Sequence, residues 1–214
     1  MPLAPTETRA FSYRVTVAPA VLPVELDDLK LWLKITGNAS DDLLNLMLES
    51  ATEYAEQATG RWFITRTAET YRELFPSVCN AEGYYRELPA WEIKRSPLQS
   101  IEKITYFSEG SQLEVDPSVY YNTTETAFSK VLARQGSAGF PGLDEARLQN
   151  ITIEFKAGYG DTPTEVPSWA KTAISSHVMA MWANRGDCMC GDSGGVFLPA
   201  AAEAVYRQNK IINI

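Results

Sequence analysis

The spacing of apolar residues changes character twice along this chain. Leu26, Leu29 and Leu33, joined by Trp32, recur at helical intervals within 25–35. Glu25, Asp27 and Asp28 precede Lys30 and Lys34 there, the charge order that suits a helix dipole. Thr36, Gly37 and Asn38 are expected to end this helix. A second helix is predicted over 40–59, with Ser40 as N-cap and Asp41 and Asp42 in its first turn. Leu43, Leu44, Met47, Leu48, Ala51, Tyr54, Ala55 and Ala58 follow at three- and four-residue spacing, and Gly60 stands where a terminating glycine belongs. Glu49, Glu53 and Glu56 fall on the opposite face, which reads as strongly acidic.

Over 66–156 the period drops towards two. Runs at 67–74, 84–88, 101–107, 119–122, 131–133 and 151–155 favour strands. Glu109-Gly110, Asp116-Pro117 and Phe140-Pro141-Gly142 supply turns between them. Helical spacing returns at 167–185 through Ala170, Ala173, Ile174, His177, Val178, Met181 and Trp182, and a last short helix is expected at 199–208. The pattern predicts an α+β fold, a small helical bundle with a β-rich antiparallel insertion between helices two and three.

Outside this single domain, 24–209, lie two appendages. Residues 1–23 read as an extended arm, held open by Pro2, Pro5, Pro19 and Pro23. Its alternation of Phe11, Tyr13, Val15 and Val17 suggests a strand that pairs with a partner. Residues 210–214 form an apolar tail.

Composition narrows the function. With 214 residues, 45% hydrophobic and 21% charged, the chain has the make-up of an ordinary globular protein. Its net charge of −8 disfavours charge-driven binding to phosphate backbones. The acids are uneven: nine against four bases in 1–60, but three against four in 167–214. Three cysteines cannot all pair within one chain, which argues against a disulfide scaffold and for a reducing compartment. The first residues lack the apolar core of a leader, and no run approaches the ~20 apolar residues of a membrane span. Neither secretion nor membrane attachment is expected.

Candidate chemistry is thin. Gly191-Asp192-Ser193-Gly194-Gly195 spells the string around the nucleophile of trypsin-like proteases, and His177 is the one histidine. A Ser-His-Asp triad needs a base within reach of the serine and an acid orienting that base, and the trypsin family takes its histidine from a distant part of a double β-barrel, whereas here it lies on a predicted helix shortly before Ser193. A flexible glycine-rich loop is the plainer reading, with a serine hydrolase using Ser193 as the enzymatic alternative. Cys188-Met189-Cys190 with Asp187, Asp192 and His177 lacks the paired spacing of a zinc site. Ala157-Gly158-Tyr159-Gly160-Asp161 lacks the Lys-Ser/Thr ending of a phosphate loop and reads as a turn. His177, inside an apolar stripe, is expected to be buried and neutral. No catalytic residue, cofactor or metal is expected.

The order of several segments resembles the head–tail connector, or head-completion adaptor, family of long-tailed phages and gene transfer particles. The segments are Glu25-Leu26-Asp27-Asp28-Leu29-Lys30-Leu31-Trp32-Leu33-Lys34-Ile35, Asp41-Asp42-Leu43-Leu44, Tyr54-Ala55-Glu56-Gln57-Ala58-Thr59-Gly60-Arg61, Ser96-Pro97-Leu98-Gln99-Ser100-Ile101, the glycine turn at 157–161, Val166-Pro167, and the stretch from Pro199 to Arg207. The resemblance implies a homo-oligomeric ring, usually dodecameric, docked under the portal protein. It implies a DNA channel without specific DNA binding, and a surface for a tail-proximal stopper or tail-terminator protein. The expected location is the virion's head–tail interface, after synthesis in the host cytoplasm. A tail-completion or stopper protein of the same particle is the alternative. By the same resemblance, Val205, Tyr206, Arg207, Ile211, Ile212 and Ile214 would meet the portal, and truncation before 199 would leave a folded monomer. Glu49, Glu53 and Glu56 are the candidate channel-facing acids, since inward acids repel DNA.

Overall fold

The computed structural model describes residues 13–75, 90–123, 129–133, 140–144, 148–185 and 198–211. The expected strand at 84–88, Phe11, the 186–195 loop with Cys188, Cys190 and Ser193, and the tail residues Ile212 and Ile214 lie outside these. The chain divides into two compact units. One comprises Ala18–Arg66, Arg95–Leu98 and Ala157–Ile214; the other comprises Met1–Val17, Thr67–Lys94 and Gln99–Lys156.

The first unit is the helical bundle. It holds α1 (Leu26–Leu33), α2 (Asp41–Thr59), a 3₁₀ turn (Pro163–Glu165), α3 (Ser168–Ala183) and α4 (Ala200–Gln208). Leu44, Leu48, Ala51 and Ala55 form the inner line of α2 and share a core with Leu29, Phe63, Ala170, Ile174, Val178 and Tyr206. Small residues at 51, 55 and 170 let helix axes approach closely, while leucine and isoleucine fill the layers between. Two helix ends differ from expectation. Ser40 occupies the N-cap position of α2, but its side chain makes no capping hydrogen bond. The left-handed residue that closes α1 is Lys34, at φ 56°, while Gly37, at φ 82°, turns the loop beyond it. The amide of Ile35 donates to the Lys30 carbonyl at 2.9 Å and that of Lys34 to Leu31 at 3.2 Å, a Schellman closure that brings Ile35 onto the core.

The second unit is β-rich. Its strands are β1 (Tyr13–Val17), β2 (Arg66–Arg72), β3 (Ala90–Ile93), β4 (Leu98–Ser108), β5 (Ser111–Glu114), β6 (Tyr120–Asn122), β7 (Ser129–Ala133) and β8 (Ile151–Ala157). They form a five-stranded sheet, β1-β2-β8-β4-β5, and a three-stranded sheet, β3-β7-β6. The β1–β2, β4–β5, β3–β7 and β6–β7 pairs are antiparallel. β8 buries Ile151, Ile153 and Phe155 in strict alternation, as a period of two requires. Glu109 and Gly110 turn the β4–β5 hairpin, both at positive φ. The Asp144 carboxylate accepts their two amides at 2.7 and 3.1 Å, fixing the turn from outside. β1 pairs with β2 of its own chain, Tyr13 opposite Thr70 and Val15 opposite Ala68. The arm's strand therefore has an internal mate, contrary to the expectation of an external one. β3 and β5 were not foreseen. The α+β class, with helices flanking a β-rich insertion, is as the sequence predicts.

Candidate functional site

The expected C-terminal docking residues prove to be mostly internal. Tyr206 is 2% exposed, in the helical core, and lies 6.4 Å from His177 and 6.0 Å from Tyr54 between ring centroids. Val205 packs against the same core. Ile211 lies over Gly60, and its amide donates to the Thr59 carbonyl at 2.9 Å. Arg61 fixes this return, its Nε donating to the Asn209 carbonyl at 3.0 Å. Of the described members of that set, Arg207 alone is exposed. The reason is the inner face of α4: Ala202, Val205, Tyr206 and Asn209 fall at three- and four-residue steps.

The acidic face of α2 also needs correction. Glu49 and Glu53 are exposed, but Glu56 is 4% exposed and belongs to a buried cluster. Its Oε1 accepts from the Phe63 amide at 3.2 Å, and its Oε2 meets the Arg66 guanidinium at 2.9 Å. Arg95 reaches the Glu56 backbone carbonyl at 3.3 Å. The guanidinium carbons of Arg66 and Arg95 each lie 5.6 Å from the Trp62 ring centre. Burial pushes the Glu56 carboxyl upward, and the two arginines oppose that shift without cancelling it. Glu56 is four positions after Thr52 and eight after Leu48, so its phase with buried residues was a readable signal. Trp62, Arg66 and Arg95 carried no such signal, because they come from two segments, 61–66 and 95–98, that meet only in the fold.

His177 is 6% exposed, edge-on to Tyr54 at 5.3 Å, and burial lowers its pKa. No acid among the described residues orients it, and Ser193 is outside them. Its Nδ1 and the Tyr206 hydroxyl have no hydrogen-bond partner among the described residues. The 157–161 segment is a structural turn. The Gly158 amide donates to Pro97 at 2.9 Å, the Tyr159 amide to Phe63 at 3.2 Å, and the Gly160 carbonyl accepts from Thr65 at 2.9 Å. Backbone groups used in this way are not available to cradle a phosphate. Among the described residues no three His, Cys, Asp or Glu side chains gather to hold a metal ion. No described helix is long and apolar enough to cross a membrane.

What remains at the surface is contact chemistry. Val21, Leu31, Trp32, Leu43 and Leu46 of the helical unit are all at least 40% exposed. An α+β bundle with outward apolar and acidic helix faces is the kind of protein that works by association.

Comparison with known proteins shows what the chain is similar to. Residues 23–105, from α1 into β4, match the family described as phage gp6-like head–tail connector protein. The resemblance read in the ordered sequence segments is thus found independently. Three solved structures share the fold. A chain in the neck of an empty gene transfer agent (GTA) particle, computed with C6 symmetry, superposes with a TM-score of 0.73 at 16% identity, covering 95% of this chain and 97% of that one. A chain of the native GTA virion gives 0.70 at 16% identity, with 94% and 96% covered. A chain in the native GTA neck computed with C12 symmetry gives 0.67 at 16%, with 96% and 97% covered. No curated protein matches. The family match covers less than half of the chain, and the likeness to the three structures, at 16% identity, is one of fold.

Proposed function

We propose that this protein is a head–tail connector of a tailed phage or gene transfer particle. Copies form a ring beneath the portal, extend the DNA channel and present a docking surface to the next tail-proximal protein. The observation that carries this reading is the likeness over nearly the whole chain to a neck protein, joined to the connector-family match at 23–105. Those necks are described with sixfold and twelvefold symmetry, which supports a ring here. A net charge of −8 per copy suits a passage through which DNA slides without sticking.

Disrupting the gene in a producing strain tests the reading. Filled heads lacking tails, rescued by the gene supplied in trans, are expected. Complete tailed particles made without the protein would refute it.

A further inference from the structure

The outward face of α2 is not bare acid. Its outer line runs through Asp42, Leu46, Glu49 and Glu53, with Leu43 beside it, and all five are exposed. Leu46 is 60% and Leu43 40% exposed. α1, tied to α2 by a 2.8 Å Lys30–Asp41 ion pair, adds Leu31 and Trp32 at 79% and 48%. Burying one such side chain is worth about 1.5–3 kcal/mol. A wall facing DNA has use for the carboxylates but none for the leucines, so a protein surface is the better occupant.

Charge identifies which surface. Residues 25–59 hold eight acids against two lysines. Lys30 is engaged by Asp41, and Glu56 is buried with Arg66. On the same unit, 198–211 holds one acid, Glu203, against Arg207 and Lys210, and Glu203 meets Arg207 in an exposed 2.8 Å ion pair that a partner carboxylate would have to share. The outer face of α4 presents Ala200, Ala204 and Arg207, with Lys210 just beyond, all exposed. The inner sides of α2 and α4 share one core through Leu48, Ala51, Ala55, Ala202 and Tyr206. Their outer sides are therefore two different surfaces of one unit. One carries carboxylates and large apolar side chains; the other carries alanines, the Glu203–Arg207 pair and Lys210, with one positive charge in excess. Two unlike, complementary surfaces are what head-to-tail association into a closed ring demands.

We propose that the α1–α2 face of one copy docks on the outer face of α4 of the next copy. Leu43 and Leu46 cover the alanines, and Glu49 and Glu53 face Arg207 and Lys210. The inference rests on the ring reading and moves Glu49 and Glu53 from the channel wall to the seam between subunits.

Charge exchange tests it. Full-length protein is followed by sedimentation velocity across concentration and salt, with circular dichroism confirming that each variant folds. Wild type is expected to form closed oligomers that weaken as salt rises. Glu49→Lys with Glu53→Lys, and separately Arg207→Glu with Lys210→Glu, should each weaken association about tenfold. The four changes together in one chain should restore it. Either double variant assembling like wild type, or a quadruple variant no better than the doubles, would overturn the seam while leaving the ring intact. A wild type that stays monomeric under every condition would overturn the ring reading itself and the seam with it.

Discussion

Replacing Glu56 with alanine removes the acceptor around which the end of α2 is organised. The carboxylate receives the Phe63 amide at 3.2 Å and Arg66 at 2.9 Å, and it is 4% exposed. Its loss leaves a buried amide unpaired and a guanidinium, 19% exposed in its side chain, without a counter-charge. Breaking a buried pair from one side costs about 3–5 kcal/mol. Arg66 keeps some contact with water, so the lower end applies, about 3 kcal/mol. The paired replacement Glu56→Met/Arg66→Met removes both charges and fills the space, so it should recover part of that loss; the Phe63 amide stays unpaired, which keeps it about 1–2 kcal/mol below wild type. Urea unfolding followed by tryptophan fluorescence measures both, with Trp62 beside the cluster as a local reporter. The raised carboxyl pKa adds a signed pH effect. The native carboxyl holds its proton where the unfolded one, near 4.5, has released it, so stability falls as pH rises from there through the native value. Glu56→Gln should flatten that fall. A Glu56→Ala loss under about 1 kcal/mol, or a double variant as unstable as the single, would refute this account of the cluster.

Other outcomes follow from the same geometry. Tyr206→Ala should cost about 3–5 kcal/mol in denaturant melts, and truncation before 199 should destabilise the bundle rather than leave it folded, because α4 supplies core. Tyr206→Phe should be neutral or slightly stabilising in the same assay, since the buried hydroxyl has no partner among the described residues. Gly158→Ala should lower the melting temperature sharply: φ is +140°, and a Cβ would lie 2.6 Å from the backbone of Thr65. Burial lowers the His177 pKa, so stability should decline as pH falls below about 6.5 until the native ring itself protonates, and His177→Phe should remove that slope.

The helices were legible because each is long enough to repeat its apolar stripe. α2 carries Leu44, Leu48, Ala51 and Ala55 on one line, and Gly60 closes it at φ 74° as expected. β8 announced itself by alternation, whereas β3 and β5, four residues each, were missed although the three residues of β6 fell inside an expected run. Capping was less legible. Lys34 adopts the left-handed turn because Ile35 gains core contact, a tertiary reward that no local propensity records. Assignments of exposure failed on two grounds: family likeness put Tyr206 at an interface, and helical phase put Glu56 on the outer face. Tyr206 lies four residues after Ala202, and both point inward. Glu49, Glu53 and Glu56 share a stripe, yet Glu56 sits at its inner margin, where the segments bearing Trp62 and Arg95 close over it. Non-local closure of that kind is written in no single stretch of chain.

The central claim is structural: many copies of this chain join a DNA-filled head to a tail. Cryo-electron microscopy of the neck of purified particles tests it most directly. The account predicts a ring of density between head and tail into which this α+β fold docks copy by copy. Purified, infectious or gene-transferring particles with no such ring, and with this chain absent from them, would contradict it.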